Sequence, residues 1–262
     1  MLNDNKRYDF ILEELLRNGR VTTVELSRQL QVNRNTIQSD LEKLERRKLL
    51  HRVRGGALPM ERPRYSIHAH GLTFQENMQK QIEEKARIAL VAIRFIKPGD
   101  TIALSPGSTT TQLARNIRQL QIPNLTVVTN AVNIAMELTG LPGLSLTLTG
   151  GLLLSDFLAL VGPLAEQSLN QMYVAKAFVG VTGLDAEHGL TSPNQFEALT
   201  LRIMLQRAQR TIVLADHTKL GRVTLHYIAP ITAIHTLVTD HDAAPEVLPT
   251  LKELGIEVLT AY

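Results

Sequence analysis

Apolar residues at Ile11, Leu12, Leu15 and Leu16 fall at helical spacing and predict a first helix over Tyr8 to Leu16. Asn18-Gly19 closes it, since both tolerate left-handed backbone. A second helix opens at Thr22, with Glu25 three residues on as its capping-box partner, and Val24, Leu26 and Leu30 supply its buried contacts. Gln31-Val32-Asn33 leaves room only for a tight connection, and Asn33 caps a third helix. In that helix Ile37, Leu41 and Leu44 recur on one face, so Asn35, Gln38, Ser39 and Glu42 point elsewhere. Leu49 to Ala57 alternates around Gly55-Gly56 and predicts a β-hairpin, with Arg52 and Arg54 on one side of it.

Pro59, Pro63 and the charges between them mark a boundary. The pattern then returns to one long helix over Phe74 to Ile96, with Ile82, Ala86, Ala89, Leu90 and Ile93 on its apolar face, ended by Lys97-Pro98-Gly99-Asp100. Short β-branched runs follow at Thr101–Leu104, Leu125–Thr129, Leu144–Leu148, Ala177–Val179, Thr211–Ala215, Ile234–Thr239 and Ile256–Leu259. Helical stretches separate many of them: Thr110–Leu120, Ala131–Leu138, Pro163–Met172, Phe196–Gln209 and Pro245–Leu254. Strand-helix alternation predicts a mostly parallel α/β sheet with helices on both faces. The domains predicted are 1–58, a winged helix-turn-helix; 59–75, a linker; and 76–262, a ligand-binding α/β domain.

Charge separates the same two parts. Residues 1–64 hold 14 Lys+Arg against 9 Asp+Glu, while the remainder holds 14 against 16. A basic first part on a slightly acidic body suits a phosphate backbone as the partner of the first part alone. The chain has no cysteine, which excludes disulfides and thiolate chemistry. No run of about eighteen apolar residues occurs and Met1 to Phe10 is polar, so neither a membrane helix nor a signal segment is expected, and a cytoplasmic protein is.

Two short helices about a tight turn, the second amphipathic, form a helix-turn-helix whose second helix fits the major groove. Its candidate DNA contacts are Thr22, Asn33, Arg34, Asn35, Thr36, Gln38 and Ser39, with Arg52, Arg54 and Gly55 from the hairpin. Asn and Gln there bond adenine edges, and the arginines meet phosphate or the minor groove. In parallel α/β sheets, ligands bind in loops after the C-terminal ends of strands. Ser105-Pro106-Gly107-Ser108-Thr109-Thr110 is such a loop, combining a permissive Gly107, hydroxyl donors and a helix N-terminus that favours an anion. Thr149-Gly150-Gly151, Val179-Gly180-Val181-Thr182-Gly183 and Ala215-Asp216-His217-Thr218-Lys219-Leu220-Gly221 occupy equivalent places. Asp216 suits sugar hydroxyls and Lys219 suits phosphate. His68 and His70 form a spaced pair without further ligands nearby, and His217, His235 and His241 are scattered, so neither a metal nor a cofactor is expected.

The run Val21-Thr22-Thr23-Val24-Glu25-Leu26, Thr36-Ile37, Asp40-Leu41, Leu44, Leu49-Leu50, Arg52 and Gly55-Gly56-Ala57 resembles the DNA-binding domain of the DeoR/GlpR family of transcriptional regulators. Gly107-Ser108-Thr109-Thr110, Val128-Thr129-Asn130, Gly150-Gly151, Gly162, Phe178-Val179-Gly180, Gly183, Gly189-Leu190-Thr191, Glu197, Asp216, Lys219 and Thr239-Asp240 resemble its effector domain. The resemblance implies a sensor fold similar to ribose-5-phosphate isomerase and a phosphorylated sugar or sugar alcohol as ligand. It adds Asn130 and Glu197 to the candidate effector residues Ser105, Gly107, Ser108, Thr109, Thr110, Gly150, Gly151, Gly180, Asp216 and Lys219. It implies a repressor of a carbohydrate-utilisation operon. Departures stand at Gln38-Ser39, where the family usually has two arginines, at Lys48 for a usual glycine, and at Ser105 and Ala175, where it often has aspartates. The first implies an altered operator, and the last two imply lost acceptors near the pocket.

Helix-turn-helix proteins read paired half-sites, so a homodimer or homotetramer held by the second domain is expected. The alternative function is a sugar-phosphate isomerase with an appended DNA-binding domain. It needs a positioned base, for which Glu197, Asp216 and Lys219 are the candidates, and no paired-acid motif accompanies them.

Overall fold

The computed structural model describes residues 4–18, 20–46, 49–59, 64–66, 73–243 and 247–262. The chain divides into two compact units, Met1–Arg62 and Pro63–Tyr262.

The first unit runs α1 (Asp4–Asn18), β1 (Val21–Thr22), α2 (Thr23–Leu30), α3 (Arg34–Arg46), β2 (Leu50–Val53) and β3 (Gly56–Pro59). Its core joins Tyr8, Ile11 and Leu15 of α1, Leu26 and Leu30 of α2, Ile37, Leu41 and Leu44 of α3, and Leu50 and Ala57 of the sheet. Val24, expected inside, is 42% exposed. Gly19 lies outside the described residues. Gln31 adopts a left-handed φ of 51° and ends α2, and the Asn33 carboxamide oxygen accepts the Asn35 N–H at 3.0 Å to start α3. At α2 the Thr22 hydroxyl accepts the Glu25 N–H at 3.2 Å, but Glu25 takes the Thr22 hydroxyl at 2.7 Å rather than a backbone N–H.

The hairpin is part of a three-stranded antiparallel sheet of order β1-β3-β2, because Val21 and Thr22 pair with Ala57 and Gly56. A Cβ on Gly56 would sit 2.0 Å from the Val21 carbonyl oxygen, so only glycine lets β1 close on β3. The turn falls at Arg54-Gly55, one residue earlier than the glycine pair suggests. Arg54 therefore lies beyond the strand, and the alternation that would set it beside Arg52 stops short of it. A buried ion pair crosses the core: Arg7 Nε and Nη2 donate to the two Asp40 oxygens at 2.8 and 3.1 Å.

The second unit contains β4 (Arg64–Ser66), α4 (Phe74–Met78), α5 (Ile82–Ala92), β5 (Thr101–Leu104), α6 (Ser108–Leu120), β6 (Leu125–Thr129), α7 (Val132–Leu138) and β7 (Leu144–Leu148). After β8 (Leu152–Leu154) and β9 (Ala159–Val161) come α8 (Pro163–Asn170), β10 (Val174–Gly180), β11 (Gly183–Asp185), β12 (Gly189–Ser192), α9 (Gln195–Gln206) and β13 (Ala208–Leu214). It ends with β14 (Arg222–Thr224), β15 (His226–Ala229), β16 (Thr236–Asp240), α10 (Val247–Glu253) and β17 (Glu257–Ala261).

Seven strands form one sheet of order β17-β16-β13-β10-β5-β6-β7, and every pairing in it is parallel. Its strands alternate between two cores. Ile102, Leu104, Phe178, Ile212, Leu214 and Val238 pack with α5, α6 and α7 on one face. Ala103, Ala177, Val179, Val213 and Leu237 pack with α8, α9 and α10 on the other. The small antiparallel sheet β11-β12-β15 adds Leu184, Leu190 and Ile228 to this second core.

The single helix expected over Phe74–Ile96 is two. Thr73 and Glu76 form a full capping box that starts the short α4, and Gln81 takes a left-handed φ of 46° ahead of α5. The buried face of α5 is rotated from the one read in the sequence: Lys85, Ile88, Ala89 and Ala92 are inside, while Ile82 and Leu90 are 54% and 56% exposed.

Candidate functional site

In the first unit, Arg34, Asn35, Gln38 and Ser39 are exposed together on α3, because Ile37, Asp40 and Leu41 hold the opposite face in the core. Asn33 is exposed at the start of this face, Thr36 is half-buried, and Thr22 is spent on capping α2. Arg54 and Gly55 are exposed at the hairpin turn. Arg52 is committed to α3: Nη1 donates to Glu42 at 3.2 Å, and its backbone N–H donates to Glu45 at 2.9 Å. The exposed face thus offers one guanidinium and three amide or hydroxyl side chains, the chemistry that reads base edges and phosphates.

The second unit changes direction once. From β5 the sheet grows through β6 to β7, then restarts on the other side of β5 with β10 and continues to β17. Between β5 and β10 the two loops diverge, and this is where open α/β sheets take ligands. A cleft opens there, lined by Pro106, Gly107, Ser108 and Thr109 after β5, and by Gly180, Val181 and Thr182 at β10. Leu214, Ala215, Asp216, Lys219 and Arg222 come from the end of β13 and beyond, Glu197 from α9, and Phe74, Asn77 and Phe157 close the rim.

Gly107 has φ 146° and approaches Gly180, to whose Cα an added Cβ would come within 4.0 Å. Ser108 and Thr109, in the first turn of the thirteen-residue α6, are 8% and 6% exposed. The next two hydroxyls, of Thr110 and Thr111, donate to the Gly107 carbonyl at 2.9 and 2.7 Å. Ser108 and Thr109 instead border the cleft, and their hydroxyls have no partner among the described residues. Two cations line the same cleft. Burial pushes the Lys219 ammonium and the Arg222 guanidinium below their ordinary pKa, while the neighbouring Asp216 carboxylate opposes the shift on each. Asp216, 1% exposed, accepts the Thr218 N–H at 3.1 Å and the Thr218 hydroxyl. Desolvation raises the Glu197 pKa against a hydrogen bond from the Ser192 hydroxyl. The cleft therefore offers a helix N-terminus, free hydroxyls and two cations for an anion, and two carboxyl groups for hydroxyl donors.

Of the residues singled out in the sequence, Gly107, Ser108, Thr109, Gly180, Glu197, Asp216 and Lys219 meet at this cleft. Ser105 does not line it. Its fully buried hydroxyl accepts the Gly180 N–H at 2.9 Å and donates to the Pro106 carbonyl at 3.0 Å, tying the two loops together. Thr110 is turned back on its own loop. Asn130 donates to the Leu160 carbonyl at 2.9 Å, away from the cleft. Gly151 serves packing, since a Cβ there would meet the Val161 carbonyl oxygen at 2.6 Å, while Gly150 takes a left-handed φ of 73° with open space about it. Ala175 corrects a further expectation. It borders a depression with Gly99, Asp100 and Thr101 at the N-terminal ends of the strands. It stands five positions before Gly180 along β10, about 16 Å at roughly 3.3 Å per residue. Its side chain cannot replace an acceptor in the cleft.

Sequence reasoning missed Arg222, Phe74, Asn77 and Lys85. Arg222 follows the Lys219 loop closely enough to have been suspected. Lys85 carried no signal, because its place on α5 read as a polar position. It is 2% exposed and donates to the carbonyls of Asn77 and Lys80, both at 2.5 Å. Burial lowers its pKa to about 8, with Asp216 acting against the shift and Lys219 with it.

His217, Asp240 and Asp242 place ligand-type atoms within 4.8 Å of one another. Asp240 is fully buried and already accepts the His217 N–H, and its Oδ2 lies 2.7 Å from His217 Nδ1. His235 is hydrogen-bonded to Thr211. His68 and His70 lie outside the described residues. No described helix is long and apolar enough to cross a membrane.

Residues 7–62 match the family model described as the DeoR-like helix-turn-helix domain, and residues 80–241 match the DeoR C terminal sensor domain. The HTH-type transcriptional regulator YulB of Bacillus subtilis (strain 168) is 33% identical over 253 residues, covering 97% of this chain and 95% of its own. The HTH-type transcriptional repressor GlcR of the same organism is 32% identical, over 95% and 93% of the two chains. The glycerol-3-phosphate regulon repressor of Escherichia coli (strain K12) is 26% identical, over 98% and 99%. A ribose-5-phosphate isomerase solved with phospho-erythronic acid shares 20% identity over 53% of this chain and 54% of its own, at a TM-score of 0.40.

Proposed function

Because the chain belongs to the DeoR family of helix-turn-helix transcriptional regulators, we propose that it represses a carbohydrate-utilisation operon under the control of a phosphorylated sugar or sugar alcohol. The observation that carries the ligand class is the pairing of Ser108 and Thr109, buried, without a hydroxyl partner among the described residues and at a helix N-terminus, with Lys219 and Arg222 in the same cleft. A phosphate fits that pairing, and Asp216 and Glu197 suit the hydroxyls of a polyol chain. The names of two relatives, one a repressor and one a repressor of a glycerol-3-phosphate regulon, support the same reading.

Arg34, Asn35, Gln38 and Ser39 read the operator, with Arg54 and Gly55 on its backbone. The protein works in the cytoplasm as a homodimer or homotetramer, since paired half-sites about one helical turn apart need two recognition helices. The cleft binds its ligand without turning it over, a reading supported by relatives named as transcriptional regulators and repressors.

The test is fluorescence anisotropy of a labelled fragment from the gene's own upstream region, at two salt concentrations, challenged with sugar phosphates and their free sugars. Specific binding should fall steeply with salt. One phosphate ester should release the fragment, and its free sugar should not. No preference over random DNA would overturn the regulator, and equal action of the free sugar would overturn the phosphate site.

A further inference from the structure

α4 is only five residues long, Phe74–Met78. Helices of that length do not persist in water by themselves, since the nucleation cost outweighs the few bonds gained. At the ends of its short ladder, Asn77 N–H bonds to Thr73, Gln79 to Glu76 and Lys80 to Asn77, at 3.0 to 3.3 Å. Three things outside that ladder hold it. One is the Thr73–Glu76 capping box at its start. Another is packing against α6 and the turn Ser155–Phe157. The third is Lys85, whose ammonium gathers the Asn77 and Lys80 carbonyls.

These holds converge on the cleft. Phe74 and Asn77 form part of its rim. Lys85 lies within electrostatic reach of both Asp216 and Lys219. A buried ammonium keeps its charge only if the surroundings supply negative potential. An anion arriving beside Lys219 and Arg222 adds such potential and strengthens the grip of Lys85 on the α4 carbonyls. α4 is the first helix of the second unit and follows β4, the strand by which the chain enters that unit.

We propose that α4 is a movable wall of the effector cleft, latched by Lys85, and that a phosphorylated ligand orders it. The inference rests on the phosphate reading of the cleft given above. Lys85 acts as a positioning residue, through α4, and does not itself touch the ligand.

Amide hydrogen exchange on the full chain tests it, with inorganic phosphate as the probe. In the ligand-free protein, Lys85→Met should speed exchange at Asn77, Gln79 and Lys80 at least tenfold, with the protection of β10 and β13 unchanged. Lys85→Arg, which keeps the charge and donors, should recover most of the protection. In the wild type, phosphate should slow the same three amides several-fold along with those of Ser108 and Thr109, and in Lys85→Met only the latter pair. Unchanged α4 exchange in Lys85→Met would overturn the latch. Phosphate protection at Ser108 and Thr109 without any at α4 would overturn the coupling while leaving the phosphate site intact. No phosphate effect at either place would overturn the phosphate site and the coupling with it, and the latch would still be judged by the ligand-free comparison. Should Lys85→Met fail to fold, Thr73→Ala, which removes the capping hydroxyl, must abolish phosphate protection of α4 selectively, or the proposal falls.

Discussion

The ion pair between Arg7 and Asp40 gives the sharpest test of how the DNA-binding unit is held. Their side chains are 10% and 1% exposed, and the bond is bidentate. It fastens α1 to the recognition helix α3 from inside the core, directly behind the exposed Gln38 and Ser39. Asp40→Ala would take from the buried Arg7 guanidinium the carboxylate that accepts its Nε and Nη2, a loss of about 3–5 kcal/mol for breaking a buried pair. A unit of this size has only about 3–9 kcal/mol in total, from roughly 0.05–0.15 kcal/mol per residue. The single substitution should therefore unfold the unit or leave it marginal. Replacing both partners together, as Arg7→Met with Asp40→Leu, removes two desolvated charges at once. That exchange is often neutral or stabilising by about 1–4 kcal/mol. Urea titration followed by the methyl signals of Ile11 and Ile37, both fully buried in this unit, reads its stability apart from the second unit. A loss below about 1 kcal/mol for Asp40→Ala, the worth of a surface pair, would refute the reasoning. So would a double variant as damaged as the single.

Gly56→Ala places a Cβ 2.0 Å from the Val21 carbonyl oxygen, so the β1–β3 pairing should open; loss of the Thr22 and Ala57 amide protection while α1 keeps its own would show it. Lys219→Ala combined with Arg222→Ala should abolish the thermal shift given by sugar phosphates, about 2.7 kcal/mol at a hundred times Kd, and leave operator affinity within twofold; a surviving shift would refute their part in anion binding. Glu197 titrates above its ordinary 4.5 in the fold because burial disfavours its charge. Its contribution to stability is full below 4.5 and is lost as pH rises through the higher folded value. Glu197→Gln should flatten the fall in Tm of the second unit above pH 4.5, and an unaltered pH profile would refute the raised pKa.

Much of the cleft was legible because its parts are local. A strand that runs into a helix through Gly107-Ser108-Thr109 brings hydroxyls and a helix N-terminus to the strand end wherever the strand lies in the sheet, and Asp216 with Lys219 follows a strand end in the same way. The departures at Ser105 and Ala175 were misread because their consequences are not local. The Ser105 hydroxyl is answered by a backbone N–H 75 residues away. Ala175 belongs to the right strand but to its wrong end. Periodicity likewise found the helical content of Phe74–Ile96, and missed the left-handed Gln81 that divides it and turns α5 about its axis.

Alternation of apolar runs by itself determined two units, a helix-turn-helix and a parallel α/β sheet, since burial of one face of each element admits few other arrangements. The tertiary structure alone decided where the sheet reverses, and hence that β5 and β10 are neighbours. Strand order depends on which crossover packs best, and no residue in either strand states it. From that one adjacency come the cleft, which the cations Lys219 and Arg222 share with the α6 N-terminus, and the burial that turns Lys85 from a surface lysine into the fastening of α4.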